Sequence, residues 1–354
     1  MTEETINIEG AVCAPPLPHN EQIVMGHGAG GRMSHQLIQK AFLPAFQNPA
    51  LNAGNDAALV EPDLRQRLSI STDAHVVSPL FFPGGDIGRL AVCGTVNDVA
   101  MLGAKPLFLT AGFILEEGLP MDTLQRVIES MRQAAEEAGV QIVAGDTKVV
   151  QRGKADGLYI TTAGVGAVRE GVAVGGANAK AGDAVILSGM IGDHGIAVLG
   201  ARGELGFQSS IQSDIAPLNH LIEAMLDASN NIHVLRDPTR GGLATTLNEI
   251  ASQSDIGIIL QEQVIPVHPE VNAACEMLGF DPLYIANEGK LVCFVPGEDA
   301  EKVLSVMKQT RYGEGAVIIG EVAREPKGRV LLKTAIGSTR VVDMLAGEML
   351  PRIC

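Results

Sequence analysis

Two kinds of hydrophobic periodicity alternate along this chain, and that alternation restricts its fold more than any other feature. Between residues 124 and 135 apolar side chains recur at helical spacing, and Gly139 follows as a helix stop. Residues 68–77 instead alternate apolar and small polar side chains, which is the pattern of a half-buried strand. Strand and helix patterns continue to alternate to about residue 334, which predicts an α/β fold.

The same patterns predict where the elements lie and where the chain divides. A segment rich in Gly and Ala at 169–182 separates two halves of similar style, and no strong core pattern follows Lys333. We therefore predict an N-terminal extension (1–21), an N-terminal domain (22–170), a C-terminal domain (171–334) and a flexible tail (335–354). The predicted helices are 86–103, 124–138, 217–227, 241–252 and 299–309, and the predicted strands are 68–77, 107–114, 140–146, 158–168, 184–189, 232–235, 256–260 and 290–296, with further strands to about 334.

The charge and cysteine content argue against several classes of partner and compartment. With 41 acidic and 26 basic residues the net charge is −15, and such a surface repels nucleic-acid phosphates. The apolar stretch 184–199 is interrupted by Asp193 and His194, so we expect no membrane span. The first residues lack the basic and apolar regions of a signal peptide, and the five cysteines form no CxxC pair. These features predict a cytoplasmic protein.

Four aspartates stand out because apolar or small residues flank each of them. An ionised carboxylate near a core is costly unless it is paired or bound to a metal ion. Carboxylate oxygens at the ends of several elements suit Mg²⁺ presenting a nucleoside triphosphate. For each aspartate taken singly, the role of a cap or turn residue remains an alternative. The four residues are Asp56, Asp73, Asp98 and Asp146.

Two glycine-rich segments have the composition of anion-binding turns. The segment "GHGAGG" (26–31) includes Gly30 and Gly31, whose backbone N–H groups could cradle phosphates. It matches neither a Walker A loop nor a dinucleotide-binding fingerprint, and most glycine clusters are simply turns. The segment "LRDPTRGG" (235–242) follows a predicted strand and has the composition of an anion-binding helix start.

Three further side chains are candidates for the chemistry itself. Lys148 lies two positions after Asp146 and could neutralise phosphate or substrate charge, although a solvated strand lysine fits equally well. His194, in "GDHG", could donate to an anion or be purely structural. Glu288 lies in the apolar segment "IANEGKL", where burial would raise the pKa of its carboxyl group and favour a general base.

The sequence ends in "LPRIC", which places a thiol at Cys354. A free cysteine has a pKa of about 8.5. A neighbouring α-carboxylate would raise this pKa, and Arg352 would partly offset the effect. A carrier thiol on a flexible segment therefore fits better than a self-activated nucleophile. The 21 residues after Lys333 could span about 70 Å when fully extended.

Taken together, these segments resemble the HypE family of hydrogenase expression/formation proteins, within the PurM-like (aminoimidazole ribonucleotide synthetase-like) superfamily. The resemblance covers residues 22–354, and the final "PRIC" is its most specific part. It implies a two-domain PurM-like fold with an N-terminal ATP-binding domain, a C-terminal α/β domain and a flexible tail. The segments that carry it are "STD", "NDVAMLGAKP", "GDTKVV", "GDHG", "RDPTRGG", "NEGKL" and "PRIC".

The resemblance also implies a reaction and its site residues. A partner carbamoyltransferase would load Cys354, and this chain would dehydrate the S-carboxamide to an S-cyanate with ATP, for the cyanide ligands of [NiFe]-hydrogenase. Lys148 would polarise the carboxamide or stabilise phosphoryl charge, Glu288 would act as base, and His194 would belong to the same pocket. Many superfamily members carry an acidic pair where this chain has Asn55 and Asp56, so one carboxylate is missing there. Mg–ATP would be held by Asp56, Asp73, Asp98 and Asp146, with Asn97 beside them and Gly30 and Gly31 in the glycine-rich loop.

The implied partners are a second copy of the chain, paired through the N-terminal domains, the carbamoyltransferase HypF and the iron-carrying HypC–HypD complex. The tail would move outward to be carbamoylated, inward for dehydration and outward again for transfer. Two alternatives remain open from the sequence. One is another PurM-like enzyme, of the selenophosphate synthetase or thiamine monophosphate kinase type. The other is a non-catalytic assembly scaffold whose tail only docks partners.

Overall fold

The structure is a computed structural model that describes residues 21–28, 32–52, 66–203, 210–345, 350 and 352–354. None of the helices in these ranges is long and apolar enough to cross a membrane. The α-helices are α1 Arg32–Leu37, α2 Leu43–Phe46, α3 Pro49–Asn52, α4 Ile87–Ala100, α5 Met121–Ala138, α6 Asp193–Arg202, α7 Asn219–Ala228, α8 Gly242–Ser254, α9 Pro269–Leu278 and α10 Gly297–Gln309. The strands are β1 Leu68–His75, β2 Phe81–Phe82, β3 Gly85–Asp86, β4 Ala104–Glu116, β5 Gln141–Val150, β6 Leu158–Val168, β7 Asp183–Leu187, β8 Val234–Arg236, β9 Gly257–Gln261, β10 Val292–Pro296, β11 Val317–Ala323, β12 Arg329–Lys333 and β13 Thr339–Val342.

The N-terminal half is built on a four-stranded sheet in the order β1-β6-β4-β5. Helices α4 and α5 cover one face, and their apolar residues form one cluster with those of β4 and β6. The other face remains open, and Ile70 on β1 is 69% exposed there. Leu68 on β1 and Ile114 on β4 are also exposed. A group of exposed apolar side chains on one sheet is typical of a surface that a second protein covers.

The C-terminal half is built on a seven-stranded sheet in the order β13-β12-β9-β11-β7-β10-β8. Alternate residues of β7 and β10 point to opposite faces, so Val185 and Leu187 join a cluster with α8, whereas Ile186 joins one with α7 and α10. This alternation follows from the two-residue period of a strand. Helices therefore cover both faces of this sheet, as the continuous apolar run in β7 requires.

Most predicted helices and strands are confirmed, and the structure explains the ends of two of them. Asp86 caps α4 as predicted, because its Oδ1 accepts hydrogen bonds from the N–H groups of Gly88 (2.7 Å) and Arg89 (3.1 Å). Gly139 ends α5 with a φ of 70°. Strand β5 continues to Val150, so Asp146 lies within a strand rather than after one.

The structure differs from the sequence prediction at the start of the tail. Residues 339–342, assigned to the flexible tail, form β13 and pair antiparallel with β12. Val342 is buried there among the apolar residues beside α8. The four-residue pattern was too short to predict a strand. The C-terminal domain therefore continues to Val342, beyond the predicted boundary at 334. Helix α9 and the β2–β3 pair were also missed.

Helices α4 and α5 pack so closely that one position on α4 requires glycine. A Cβ atom at Gly88 would lie 2.4 Å from the backbone oxygen of Val127 on α5. This close approach fixes α4 against its neighbour and directs its C-terminal end toward the second domain. Asn97 and Asp98 lie at that end.

Candidate active site

The two domains meet where Asn97, at the end of α4, bonds to the segment that precedes α7. Its Oδ1 accepts from the N–H of Leu218 at 2.8 Å, and its Nδ2 donates to the carbonyl of Ala216 at 3.0 Å. Nδ2 also lies 3.4 Å from the carbonyl of Glu288. The buried amide therefore holds both domains in one arrangement, and its polar atoms are already occupied by these bonds.

Four carboxyl groups from both domains lie beside this junction and form the carboxyl cluster: Asp73, Asp98, Asp237 and Glu288. Asp98 accepts a hydrogen bond from Ser71 Oγ at 2.8 Å. Burial raises the pKa of Asp98, and the carboxylate of Asp73 raises it further. Burial also raises the pKa of Asp237 to about 7, with Asp98 as the next cause. Such mutual repulsion is what a bound cation would relieve.

Glu288 is the most deeply buried member of this carboxyl group cluster. It is 5% exposed, and its Oε1 has no hydrogen-bond partner in the part of the chain that the structure describes. Burial raises its pKa well above the usual value, and Asp237 and Asp214 add to the effect. Its own N–H donates to Asp214 Oδ1 at 3.0 Å, and Asp214 pairs with Lys290 at 3.1 Å. A carboxylate with a raised pKa and a free oxygen, as Oε1 is within the described residues, is a suitable proton acceptor.

One fully buried amide holds together the loops that carry these groups. Asn287 Nδ2 donates to the carbonyl of Pro238 at 2.8 Å, next to Asp237. Its Oδ1 accepts from the N–H of Gly192 at 2.8 Å, where α6 begins. Sequence reasoning selected neither Asn287 nor Asp237. Asp237 lies in the segment 235–242 and Asn287 in the segment 285–291, but nothing in the local sequence pattern shows that these loops are in contact.

The last residues of the chain dock inward against this cluster. Ile353 is 3% exposed and joins the apolar core of the N-terminal domain. Cys354 follows it, and burial raises the pKa of its thiol. The carboxyl group of Glu288 raises this pKa further, Arg240 lowers it, and Asp73 raises it. The thiol is therefore protonated and lies within electrostatic reach of the carboxyl cluster.

His194 lies in this pocket, but both of its ring nitrogens already have partners. Nδ1 lies 2.8 Å from Ser213 Oγ, and Nε2 lies 2.8 Å from the carbonyl of Ile353. Burial lowers the pKa of His194, which keeps the ring neutral. Through Nε2, His194 therefore contacts the tail backbone.

Asp146 and Lys148 lie away from the Cys354 thiol. They pair with each other at 2.7 Å, and their side chains are 69% and 66% exposed. They line a cavity of about 230 Å³ with Phe42 and Phe113. Because β5 and β1 are opposite edges of the sheet, about three strand spacings, roughly 14 Å, separate them across it.

The predicted magnesium set is accordingly not assembled in the described parts of the chain. Asp73 and Asp98 lie together, whereas Asp146 lies at the opposite edge. Asp56, Gly30 and Gly31 fall outside the described residues. Within the described ranges no group of three or more His, Cys, Asp or Glu side chains could hold a metal ion. The donor set of Asp73 and Asp98 still suits Mg²⁺, which commonly takes one or two carboxylates and completes its shell with waters and phosphates.

Comparison with known sequences places the chain in a family. Residues 54–168 match the AIR synthase related protein, N-terminal domain, and residues 180–333 match its C-terminal domain. A protein of Cupriavidus necator named carbamoyl dehydratase HypE is 57% identical over 333 residues, which is 94% of this chain and 95% of that protein. The chain belongs to the HypE family of hydrogenase maturation proteins. The family resemblance predicted from the sequence is thereby confirmed.

Solved structures of HypE proteins agree with this assignment. HypE in complex with ATP superposes with a TM-score of 0.90 at 51% identity, covering 94% of this chain and 99% of that one. A HypE–HypF complex superposes with a TM-score of 0.77 at 52% identity, covering 87% and 99%. Thiamine-monophosphate kinase from Stenotrophomonas maltophilia K279a is 18% identical, with a TM-score of 0.60 over 80% of this chain and 90% of that one. This last likeness shows the shared PurM-like fold alone.

Proposed function

We propose that this chain dehydrates an S-carboxamide on its own Cys354 to an S-cyanate, using ATP, as the source of the iron cyanide ligands of [NiFe]-hydrogenase. The observation that carries the proposal is the docked tail, which brings Cys354 within electrostatic reach of Glu288. Membership in a family whose relatives are named carbamoyl dehydratases supports the reaction class. A scaffold would not need, near the thiol, a buried carboxyl group whose Oε1 lacks a partner among the described residues.

The reaction requires that a carboxamide lose one oxygen and two N–H protons. ATP supplies a phosphoryl group to the amide oxygen, which then leaves as phosphate when the C–O bond breaks. One N–H proton leaves to solvent as the amide oxygen is phosphorylated, and the second leaves as the C≡N bond forms, where Glu288 would accept it. Because its pKa is raised, its carboxylate form is a stronger base than an ordinary glutamate.

We assign the Mg–ATP side of the site to the first-domain carboxylates. Asp73 and Asp98 would hold the ion together with waters and phosphate oxygens. Arg240, whose charge lowers the pKa of Asp98, would offset phosphate charge at the same place. The ATP complex of a HypE protein supports nucleotide binding. The predicted contacts of Asp56, Gly30 and Gly31 with phosphate, and of Asn97 beside the ion, stay predictions.

The proposed partners are those that the family resemblance implies. The HypE–HypF complex supports a carbamoyltransferase partner, whereas HypC–HypD rests on the resemblance. The open sheet face around Ile70 supports a homodimer paired through the N-terminal domains. We further assign Lys148 to the active site of a second copy, since within one chain it lies at the far edge of the sheet. Four free cysteines in the described ranges fit a reducing cytoplasm.

Intact mass spectrometry tests the reaction directly. The full-length protein is incubated with carbamoyl phosphate, ATP and HypF, and its mass is followed with time. We expect the gain of one carbamoyl group and then the loss of one water, with both changes on the peptide that contains Cys354. The same steps should fail in Cys354→Ala and persist in the matched thiol variant Cys13→Ala. If Cys354→Ala follows the parent, the proposed function is wrong.

A further inference from the structure

The backbone of the tail pairs with the segment that follows β1. The N–H of Val76 donates to the main-chain oxygen of Cys354 at 3.1 Å, and the N–H of Ser78 donates to the carbonyl of Arg352 at 3.3 Å. Two-residue steps in opposite directions are the pattern of an antiparallel ladder. The tail therefore runs antiparallel to the segment that follows β1, and two main-chain hydrogen bonds determine its register there.

The carbonyl of Ile353, between Arg352 and Cys354, bonds instead to the ring of His194. A carbonyl oxygen only accepts, so Nε2 carries the proton in the 2.8 Å bond to Ile353. Nδ1 then accepts from Ser213 Oγ at 2.8 Å, and this serine oxygen in turn accepts from the N–H of Ile215. The chain of bonds fixes the tautomer of a fully buried ring. His194 is thus held ready to donate to one particular carbonyl of the tail.

A second side chain bridges the tail and the segment that follows β1. Arg202, at the end of α6, donates from Nε to the carbonyl of Ser78 at 2.7 Å and from Nη2 to the carbonyl of Arg352 at 2.6 Å. The planar guanidinium thus bonds to both segments at once, which a lysine side chain cannot do in the same geometry. The side chain of Arg352 forms an ion pair with Asp156 at the surface, and such exposed pairs contribute little.

We propose that His194 and Arg202 form a tail clamp that sets the register of the docked tail by holding consecutive backbone carbonyls. A shift of the tail by one residue would place a different carbonyl opposite His194 and would move the Cys354 thiol relative to Glu288. The clamp acts through the tail backbone, so both are positioning residues and neither handles the proton that the reaction moves. This role in catalysis rests on the proposed function, whereas the docking itself does not.

Alkylation of Cys354 by iodoacetamide, without ATP or HypF, tests the clamp. The docked thiol is shielded and has a raised pKa, so the labelling rate reports the undocked fraction of the tail. We expect His194→Ala and Arg202→Ala each to speed labelling of Cys354 roughly threefold to tenfold, the effect of one lost hydrogen bond. His194→Gln keeps a donor near the Nε2 position and should restore slow labelling. Arg132→Ala, on the exposed face of α5, should match the parent.

Labelling is located by peptide mass spectrometry, with buried Cys93 as the monitor of unfolding. If Cys93 becomes reactive in His194→Ala, Arg202→Ala decides the question, because that side chain is only partly buried. Parent-like labelling of Cys354 in a folded Arg202→Ala protein would overturn the clamp. The pH profile of carboxamide dehydration gives a second readout. It should be unchanged in His194→Gln, and a shifted profile would make His194 a proton-transfer residue instead. Failure of the dehydration assay alone would leave the labelling result standing.

Discussion

At the scale of single residues, burial determines the behaviour of Glu288. Its carboxyl group lies among Asp237, Asp214 and Asp73, and its Oε1 has no partner in the described ranges. Placing charge there is costly, so its carboxylate binds a proton more strongly than the carboxylate of an exposed glutamate does. A residue of this kind destabilises the fold once it ionises, and such a cost is common at functional sites.

Glu288→Gln should therefore change how stability depends on pH. The folded pKa lies above the usual 4.5, so the folded state holds the proton more tightly and stability falls as pH rises above 4.5 toward the raised value. Gln stays neutral and lacks this loss. We expect the melting temperatures of variant and parent to agree near pH 4.5 and to diverge in favour of the variant as pH rises.

Thermal unfolding between pH 4.5 and 8 measures this difference. The control is Glu136→Gln, which removes a carboxylate from the exposed face of α5. A constant difference between Glu288→Gln and the parent across this range would show that Glu288 ionises freely. In that case burial would not be what prepares it to accept a proton.

At the scale of elements, the position of α4 decides the geometry of the first-domain carboxylates. The helix begins at the Asp86 cap and ends at Asn97 and Asp98, which face the second domain. Its N-terminal end was predictable because a cap is a local hydrogen bond between neighbours in sequence. Its packing against α5 was not predictable, since the closest obstacle to a Cβ atom at Gly88 is the backbone oxygen of Val127, on another helix.

Asp86→Ala should destabilise the N-terminal domain by about 1 kcal/mol, the usual cost of losing an N-cap. The change removes the acceptor for the N–H groups of Gly88 and Arg89. Asp86→Asn keeps an acceptor and should stay close to the parent. Denaturant unfolding checks this. Equal stability of Asp86→Ala and Asp86→Asn would show that the cap contributes nothing.

At the scale of the whole molecule, the sheet order decides which residues can share a site in one chain. Lys148 on β5 and the tail beyond β1 lie at opposite edges. The N-terminal sheet also presents an open apolar face. If the chain forms a homodimer, Lys148 of one copy and Glu288 of the other can belong to the same site.

Mixing two inactive variants tests this arrangement. Lys148→Ala and Glu288→Gln homodimers should each fail to dehydrate the carboxamide. Random mixing makes half of the dimers mixed, each with one intact site of two, so activity should recover to about a quarter of the parent's. A mixture of Glu288→Gln and Cys354→Ala should recover no activity. Glu288 and Cys354 of one chain serve the same site, so each of the two sites in a mixed dimer lacks one of them. No recovery in the Lys148 mixture would place Lys148 in the site of its own chain or outside the chemistry.

The sequence by itself determined the α/β class, most helices and strands, the Asp86 cap, the Gly139 stop and the family resemblance. Each of these depends on neighbours along the chain or on short motifs, so periodicity and composition report them. Only the tertiary structure decided that Asp73, Asp98, Asp237 and Glu288 gather in one cleft while Asp146 and Lys148 lie elsewhere. It also decided that the tail is held by His194 and Arg202. The order of strands in a sheet and the contacts between distant loops depend on long-range packing, which no local sequence pattern predicts.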